Sequence, residues 1–178
     1  MPLKYQVPDD KKVRVIVDSD AACEADDPFA IAHALLCDKF IVKAIFAEHF
    51  NCEGSMKQSF EEIQRVVKAM KKEVPVLMGE IGKLSEKGTG EISEASSFLI
   101  REALREDDKP LYVLCIGAIT NIASAIQACP DIVPHMTVVW IGGQSHEHST
   151  GEVREFNAGN DIEAATVSYT HLTLPTIC

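Results

Sequence analysis

Five acidic side chains crowd the ten residues DSDAACEADD: Asp18, Asp20, Glu24, Asp26 and Asp27. No lysine or arginine occurs between Arg14 and Lys39, so no local cation neutralises them. Carboxylates packed together repel one another, and the proton affinity of some of them rises. A hard divalent ion relieves that conflict, because calcium and magnesium take oxygen ligands from carboxylates, main-chain carbonyls and water. The competing structural reading makes Asp27 a helix cap, leaves Asp26 and Glu24 solvated, and lets Asp20 end a strand. Four aspartates directly behind an apolar, β-branched run favour the metal site.

The elements that must carry this loop are legible from periodicity. Residues 12–17 form a buried strand, and residues 28–37 a helix with Asp27 as N-cap and Pro28 in its first turn. Residues 40–47 are a second strand. Residues 55–72 are a helix whose stripe is Met56, Phe60, Ile63, Val67 and Met70, opened by a Ser55/Gln58 capping box and closed by lysines 68, 71 and 72. Residues 74–78, 111–116 and 136–141 read as further strands, and 93–105 and 120–128 as helices. Residues 79–92 form a loop without periodicity. Strands alternating with helices predict an α/β fold: an open, mostly parallel, Rossmann-like sheet with helices on both faces.

In such sheets ligands bind beyond the carboxyl ends of the strands. The site candidates are therefore Asp18 and Asp20 after the first strand, His49 and Asn51 after the second, the Ile116-Gly117 turn after the fourth, and residues 142–145 after the fifth. A net charge of −10 argues against nucleic acid or an anionic membrane as partner and suits a neutral small substrate. No apolar run reaches the ~20 residues of a membrane span, and the first twelve residues lack the apolar core of a secretion signal. The six cysteines show no CxxC spacing, which predicts a reduced, cytoplasmic protein without a zinc site.

Several of these segments carry a family resemblance. VIVDSD at 15–20 with DDPFAIA at 26–32 resembles the nucleoside hydrolase signature, where a D-x-D and a following D-D pair flank a short loop. The loop here is two residues longer and lacks the usual Pro-Gly, which looks like a divergent branch and leaves substrate choice open. LYVLCIGAITNIA at 111–123, VVWIGG at 138–143, and EFN at 155–157 followed by NDIEAA at 160–165 resemble the family's later segments, in order.

The resemblance implies hydrolysis of the N-glycosidic bond of a ribonucleoside or related ribofuranoside by a Ca2+-activated water. It implies that Asp20 touches the calcium and acts as general base. Asp27 and the main-chain carbonyl of Ile116 are further calcium ligands. Asp26, Asn51, Glu155 and Asn157 hold the sugar, and Asp18 orients the loop. Attack on the anomeric carbon passes through an oxocarbenium-like transition state that carboxylates stabilise. A homo-oligomer is implied for the full-length protein.

Residues 168–178, SYTHLTLPTIC, show no helical stripe and do not resemble the family. They are expected to be a non-native tail, with residues 1–167 the N-terminal portion of a single domain. On that reading a further calcium-ligating aspartate and a histidine that protonates the leaving base lie beyond this stretch, and the chain alone turns over little substrate. Two other readings compete. A D-x-D after the first strand also opens magnesium-dependent phosphatases of the haloacid dehalogenase type, which need a lysine near the phosphate. An inert ribose- or metal-binding fragment is the other. His146-Glu147-His148 reads as a solvated loop, Gly88-Thr-Gly90 lacks a phosphate loop's Lys-Ser/Thr, His33 as packed on its helix, His49 as a possible substrate contact, and Trp140, the only tryptophan, as core.

Overall fold

The computed structural model describes residues 6–86, 92–143 and 155–172. Five strands, β1 Val13–Ser19, β2 Phe40–Ala47, β3 Val76–Met78, β4 Leu111–Cys115 and β5 Thr137–Trp140, form one sheet in the order β3-β2-β1-β4-β5. All four pairings are parallel. The chain runs outward from β1 to β3, then crosses back to place β4 on the other side of β1. The topological switch point lies between β1 and β4, where a ligand crevice forms in sheets of this kind.

Side chains alternate across the sheet and create two cores. Ile16, Ala44, Phe46, Val113 and Cys115 face the helices α3 Glu94–Ala103, α4 Thr120–Ala128 and α6 Ile162–His171, meeting Leu99, Ile122, Ile126 and Ala164. Val15, Val17, Ile45 and Ala47 face α1 Asp26–Leu36 and α2 Ser55–Ala69, meeting Ile31, Ile63 and Val67. Ile31 and Ile63 are 0% exposed, and each contributes ~1.5–3 kcal/mol through burial. Helices on both faces leave the strand ends as the places where polar groups collect.

Helix ends depart from the sequence reading. α1 begins at Asp26 with Ala25 as N-cap and no side-chain cap. Asp27 is instead the second helical residue, and its carboxylate accepts from the Ser19 hydroxyl at 2.6 Å. Pro28 is harmless there, since the first four helical N–H groups have no partner within the helix. α2 is capped by Gly54 at φ +73° and not by Ser55, whose hydroxyl accepts from the Phe50 N–H at 3.2 Å. It stops at Ala69, and Lys71 turns the chain with φ +53°.

The helical turn α5 Phe156–Asn160 and α6 follow β5. α6 runs across the boundary placed at residue 168. Asp161 caps it through the Ala164 N–H at 3.0 Å, and Ala164, Val167, Ser168 and Leu172 are buried or partly buried along it. That contact outweighs the weak helix propensity of its Thr, Val, Ser and Tyr residues. No described helix is long and apolar enough to cross a membrane, and the five described cysteines are free thiols.

Candidate active site

β1 delivers Asp18 and Ser19 to the carboxyl edge, and Asp20 follows in a turn where its carbonyl accepts the Cys23 N–H at 2.7 Å. The Ser19–Asp27 hydrogen bond draws the N-terminus of α1 onto the same edge. From the neighbouring strand β4, Ile116 is pinned by its N–H donating to the Asp18 carbonyl at 2.9 Å. Gly117 follows, and its lack of a side chain is required: a Cβ there would lie 2.6 Å from Asp20 Oδ1.

These groups line one cleft of about 310 Å3, formed by Asp20, Glu24, Asp26, Asp27, Ile116, Glu155 and Asn157 together with Cys23, Ala30, Ile141 and Phe156. No lysine or arginine is among them. Asp20 and Asp27 are buried, whereas Asp26 is exposed at the mouth. Burial raises the Asp20 carboxyl to about 7, with the charge of Asp27 adding to it. Burial raises Asp27 to about 6 against the hydrogen bond from Ser19.

The fourth side of the cleft comes from α5. Glu155 caps that turn: its carboxylate accepts the N–H groups of Asn157 at 2.9 Å and Ala158 at 2.8 Å, and of Gly143 at 2.8 Å. Asn157 Nδ2 donates to the carbonyls of Ile141 at 2.8 Å and Ile116 at 3.3 Å. The amide thus bridges β5 to the carbonyl that the sequence singled out on β4.

The structure brings Asp20, Asp26, Asp27, Ile116, Glu155 and Asn157 to a single cleft. It does not bring Asn51 there. Asn51 sits on an exposed loop at φ +59°, with its N–H bonded to His49 Nδ1 at 3.2 Å. His49 is no substrate contact either, being 0% exposed. Its Nδ1 accepts from Asn51, so Nε2 carries the proton and donates to Thr120 Oγ1 at 2.9 Å, and Thr120 donates to Asp161 at 2.8 Å. His33 is exposed and not packed. Trp140 is half-buried and donates from its indole N–H to the Gly117 carbonyl at 2.9 Å. Residues 88–90 and 146–148 lie outside the described residues.

Beneath the cleft is a buried layer of which the sequence reading named Asp18 but not Glu48. Asp18 is 0% exposed, and burial raises its carboxyl to about 8. Glu48, also 0% exposed, is raised well above the ordinary carboxylate range by burial and then by Asp18. Asn121 bonds to both. The signal for Glu48 was present: a lone acid at the end of an apolar strand, beside the two residues that were singled out.

The cleft's donors suit a hard divalent cation in kind: two buried carboxylates of raised proton affinity and a strand-end carbonyl, all oxygen, with no competing cationic side chain among the described residues. Among the described residues no three His, Cys, Asp or Glu side chains converge on one metal position.

The family model described as inosine-uridine preferring nucleoside hydrolase matches residues 15–178. The non-specific ribonucleoside hydrolase RihC of Escherichia fergusonii is 38% identical over 74 residues, covering 40% of this chain and 24% of the relative. A solved inosine-guanosine nucleoside hydrolase superposes with a TM-score of 0.73 at 25% identity, over 90% of this chain and 56% of that one. A purine-preferring ribonucleoside hydrolase from Gardnerella vaginalis shares the fold, with a TM-score of 0.67 at 23% identity over 88% and 57% of the two chains. The chain thus spans about a quarter of the curated relative and a little over half of these solved structures.

Proposed function

The chain belongs to the inosine-uridine preferring nucleoside hydrolase family, and from that membership we propose that its acidic cleft hydrolyses the N-glycosidic bond of a ribonucleoside or related ribofuranoside with the aid of calcium. One observation carries the reading. Asp20 is 2% exposed, faces the cleft, and has a carboxyl raised to about 7, which suits a general base working near neutral pH.

Asp20, Asp27 and the Ile116 carbonyl would hold the ion, in a family that is generally metal-dependent. When bound, calcium lowers the pKa of a coordinated water and orients it. Asp20 accepts a proton from the attacking water as its oxygen bonds to the anomeric carbon and the carbon–nitrogen bond breaks. Asp26 and Asn157 hold ribose hydroxyls, Asp26 by accepting from them. Glu155 fixes Asn157 by capping its turn, with remaining lone pairs for the sugar. Positive charge developing on the ribose lies against carboxylates, with no lysine or arginine among the described lining residues. A proton must also reach the departing base, and His49, committed to Thr120 and Asn51, does not supply it. A cytoplasmic location and a homo-oligomeric whole protein complete the proposal.

The phosphatase alternative needs a lysine near the phosphate, and none lines the cleft. An inert fragment predicts ribose or metal binding without turnover. Calcium titration with and without an iminoribitol inhibitor tests the proposal, alongside release of base from inosine and uridine. Mutually reinforcing binding of calcium and the inhibitor, lost in Asp20→Asn, is expected. Absence of calcium binding, or calcium-independent phosphate release from phosphate esters, would sink it.

A further inference from the structure

Asn121 is the second residue of α4 and is 0% exposed. Its amide and main chain reach four separate segments. Nδ2 donates to Asp18 Oδ1 at 2.9 Å and to the Ala47 carbonyl at 3.2 Å. Oδ1 accepts the Glu80 N–H at 2.7 Å. The main-chain N–H donates to Glu48 at 3.0 Å, and the carbonyl accepts the Ser96 hydroxyl at 2.9 Å. A Cβ on Gly79 would clash with this amide, so the chain after β3 is shaped around it.

The connectivity gives this hub a consequence at the cleft. Asp18 lies two residues before Asp20 on β1, and Asn121 lies five residues after Ile116 on the chain leaving β4. The side-chain bond between Asp18 and Asn121 therefore closes a bracket around two of the oxygen donors. The bracket's other tie is the Ile116 N–H to Asp18 carbonyl bond. Gly117 packed against Asp20 leaves no slack within it. Asp18 Oδ2 has no hydrogen-bond partner, so Asn121 supplies the only side-chain bond to this carboxyl among the described residues.

We propose that Asn121 is a positioning residue: through its Nδ2–Asp18 bond it sets the spacing between the Asp20 carboxylate and the Ile116 carbonyl, and so the geometry of the cation site. This rests on the metal-site reading above. Partners that orient metal ligands without touching the ion are worth ~10–100-fold in affinity.

Terbium(III) is the probe, since it takes hard oxygen ligands and its luminescence lifetimes in H2O and D2O count the waters bound to it. In the whole chain, Asn121→Asp keeps the acceptor for Glu80 but turns a carboxylate oxygen toward Asp18. It is expected to weaken terbium and calcium binding ~10–100-fold and to add about one bound water by loss of a protein donor. Asp18→Ala breaks the same bond from the other side and is expected to reproduce both changes, which covers the case in which Asn121→Asp does not fold. Asp18→Asn keeps an acceptor for Nδ2 and is expected to leave the lifetime unchanged. Ser96→Ala removes a bond to Asn121 without touching its amide; it should lower the melting temperature and leave the lifetime alone. Absence of terbium binding by the unsubstituted chain overturns the metal site and the inference together. An unaltered affinity and water count in folded Asn121→Asp or Asp18→Ala overturns the inference alone.

Discussion

The two ends of the sheet treat the same chemical group in opposite ways. At the amino end, Arg14 is 4% exposed and donates to the Glu102 carboxylate at 3.1 Å, the Glu102 carbonyl at 2.9 Å and the Lys109 carbonyl at 2.8 Å. Lys43 and Arg105 also approach Glu102, and Arg105 approaches Asp107. Asp107 is held below its ordinary value, first by the Lys109 N–H and then by nearby cations, and Asp9 is lowered by its bond to Lys109. At the carboxyl end, Asp18, Asp20, Asp27 and Glu48 have no lysine or arginine beside them among the described residues, and all are raised. Acids paired with cations clasp the fold together. Acids buried without cations cost stability, and a protein retains such groups where a ligand is to use them.

The largest effect is expected from opening the clasp. Arg14→Ala leaves the buried Glu102 carboxylate with only the longer approaches of Lys43 and Arg105 and should cost about 3 kcal/mol, read as a lower denaturant midpoint at unchanged slope, with calcium affinity little altered in the folded fraction. Asp20→Asn reverses that pattern. The metal-free chain should gain up to about 1 kcal/mol, roughly 2–4 °C in melting temperature, while calcorimetric calcium binding falls below detection. Gly117→Ala drives a methyl into Asp20 and combines the two outcomes. A loss of about 1–3 kcal/mol should accompany weakened calcium binding, and an unshifted calcium isotherm would contradict the close packing of Asp20 on the β4 turn.

The smallest effect is a pH trend of opposite sign at the two ends. Asp20 at about 7 and Asp27 at about 6 lie above their ordinary value of 3.8. Between those limits the native chain binds more protons than the unfolded chain, so these groups lower stability as pH rises from about 4 to about 7. Asp9 and Asp107, lowered in the fold, contribute stability above about 4 that is lost on acidification. The melting temperature without metal should therefore decline from about pH 5 to 7, the decline should shrink in Asp20→Asn, and added calcium should remove most of it.

Sequence pattern revealed the sheet because its signal is local. The β-branched run in residues 12–17 marks a buried strand and the apolar stripe of α2 a buried face, and the strand-end rule then points to Asp20 and Ile116. The helix starts were less legible. Ser55 and Asp27 have capping side chains, yet tertiary partners took those side chains: the Phe50 N–H in one case and the Ser19 hydroxyl in the other. α6 was obscured because Thr166, Val167, Ser168 and Tyr169 are poor helix formers, and its stability comes from Asp161 and from packing on α4. Asn121 and Glu48 carry no periodicity at all. Their importance comes from bonds spanning 41 to 103 positions in sequence, which no local window contains. Asn51 was placed by its strand-end position and by the family resemblance, and its left-handed backbone on an exposed loop leaves it outside the cleft.

The most direct test is calorimetric titration of calcium into the chain near pH 6.5, in two buffers of different ionisation enthalpy, so that proton release is counted with the binding. Raised carboxyls at Asp20 and Asp27 predict saturable binding of one ion, with release of about one proton that diminishes toward pH 8 and disappears with the binding in Asp20→Asn. Binding without proton release, or release untouched by that substitution, would contradict the assignment of the metal to this cleft.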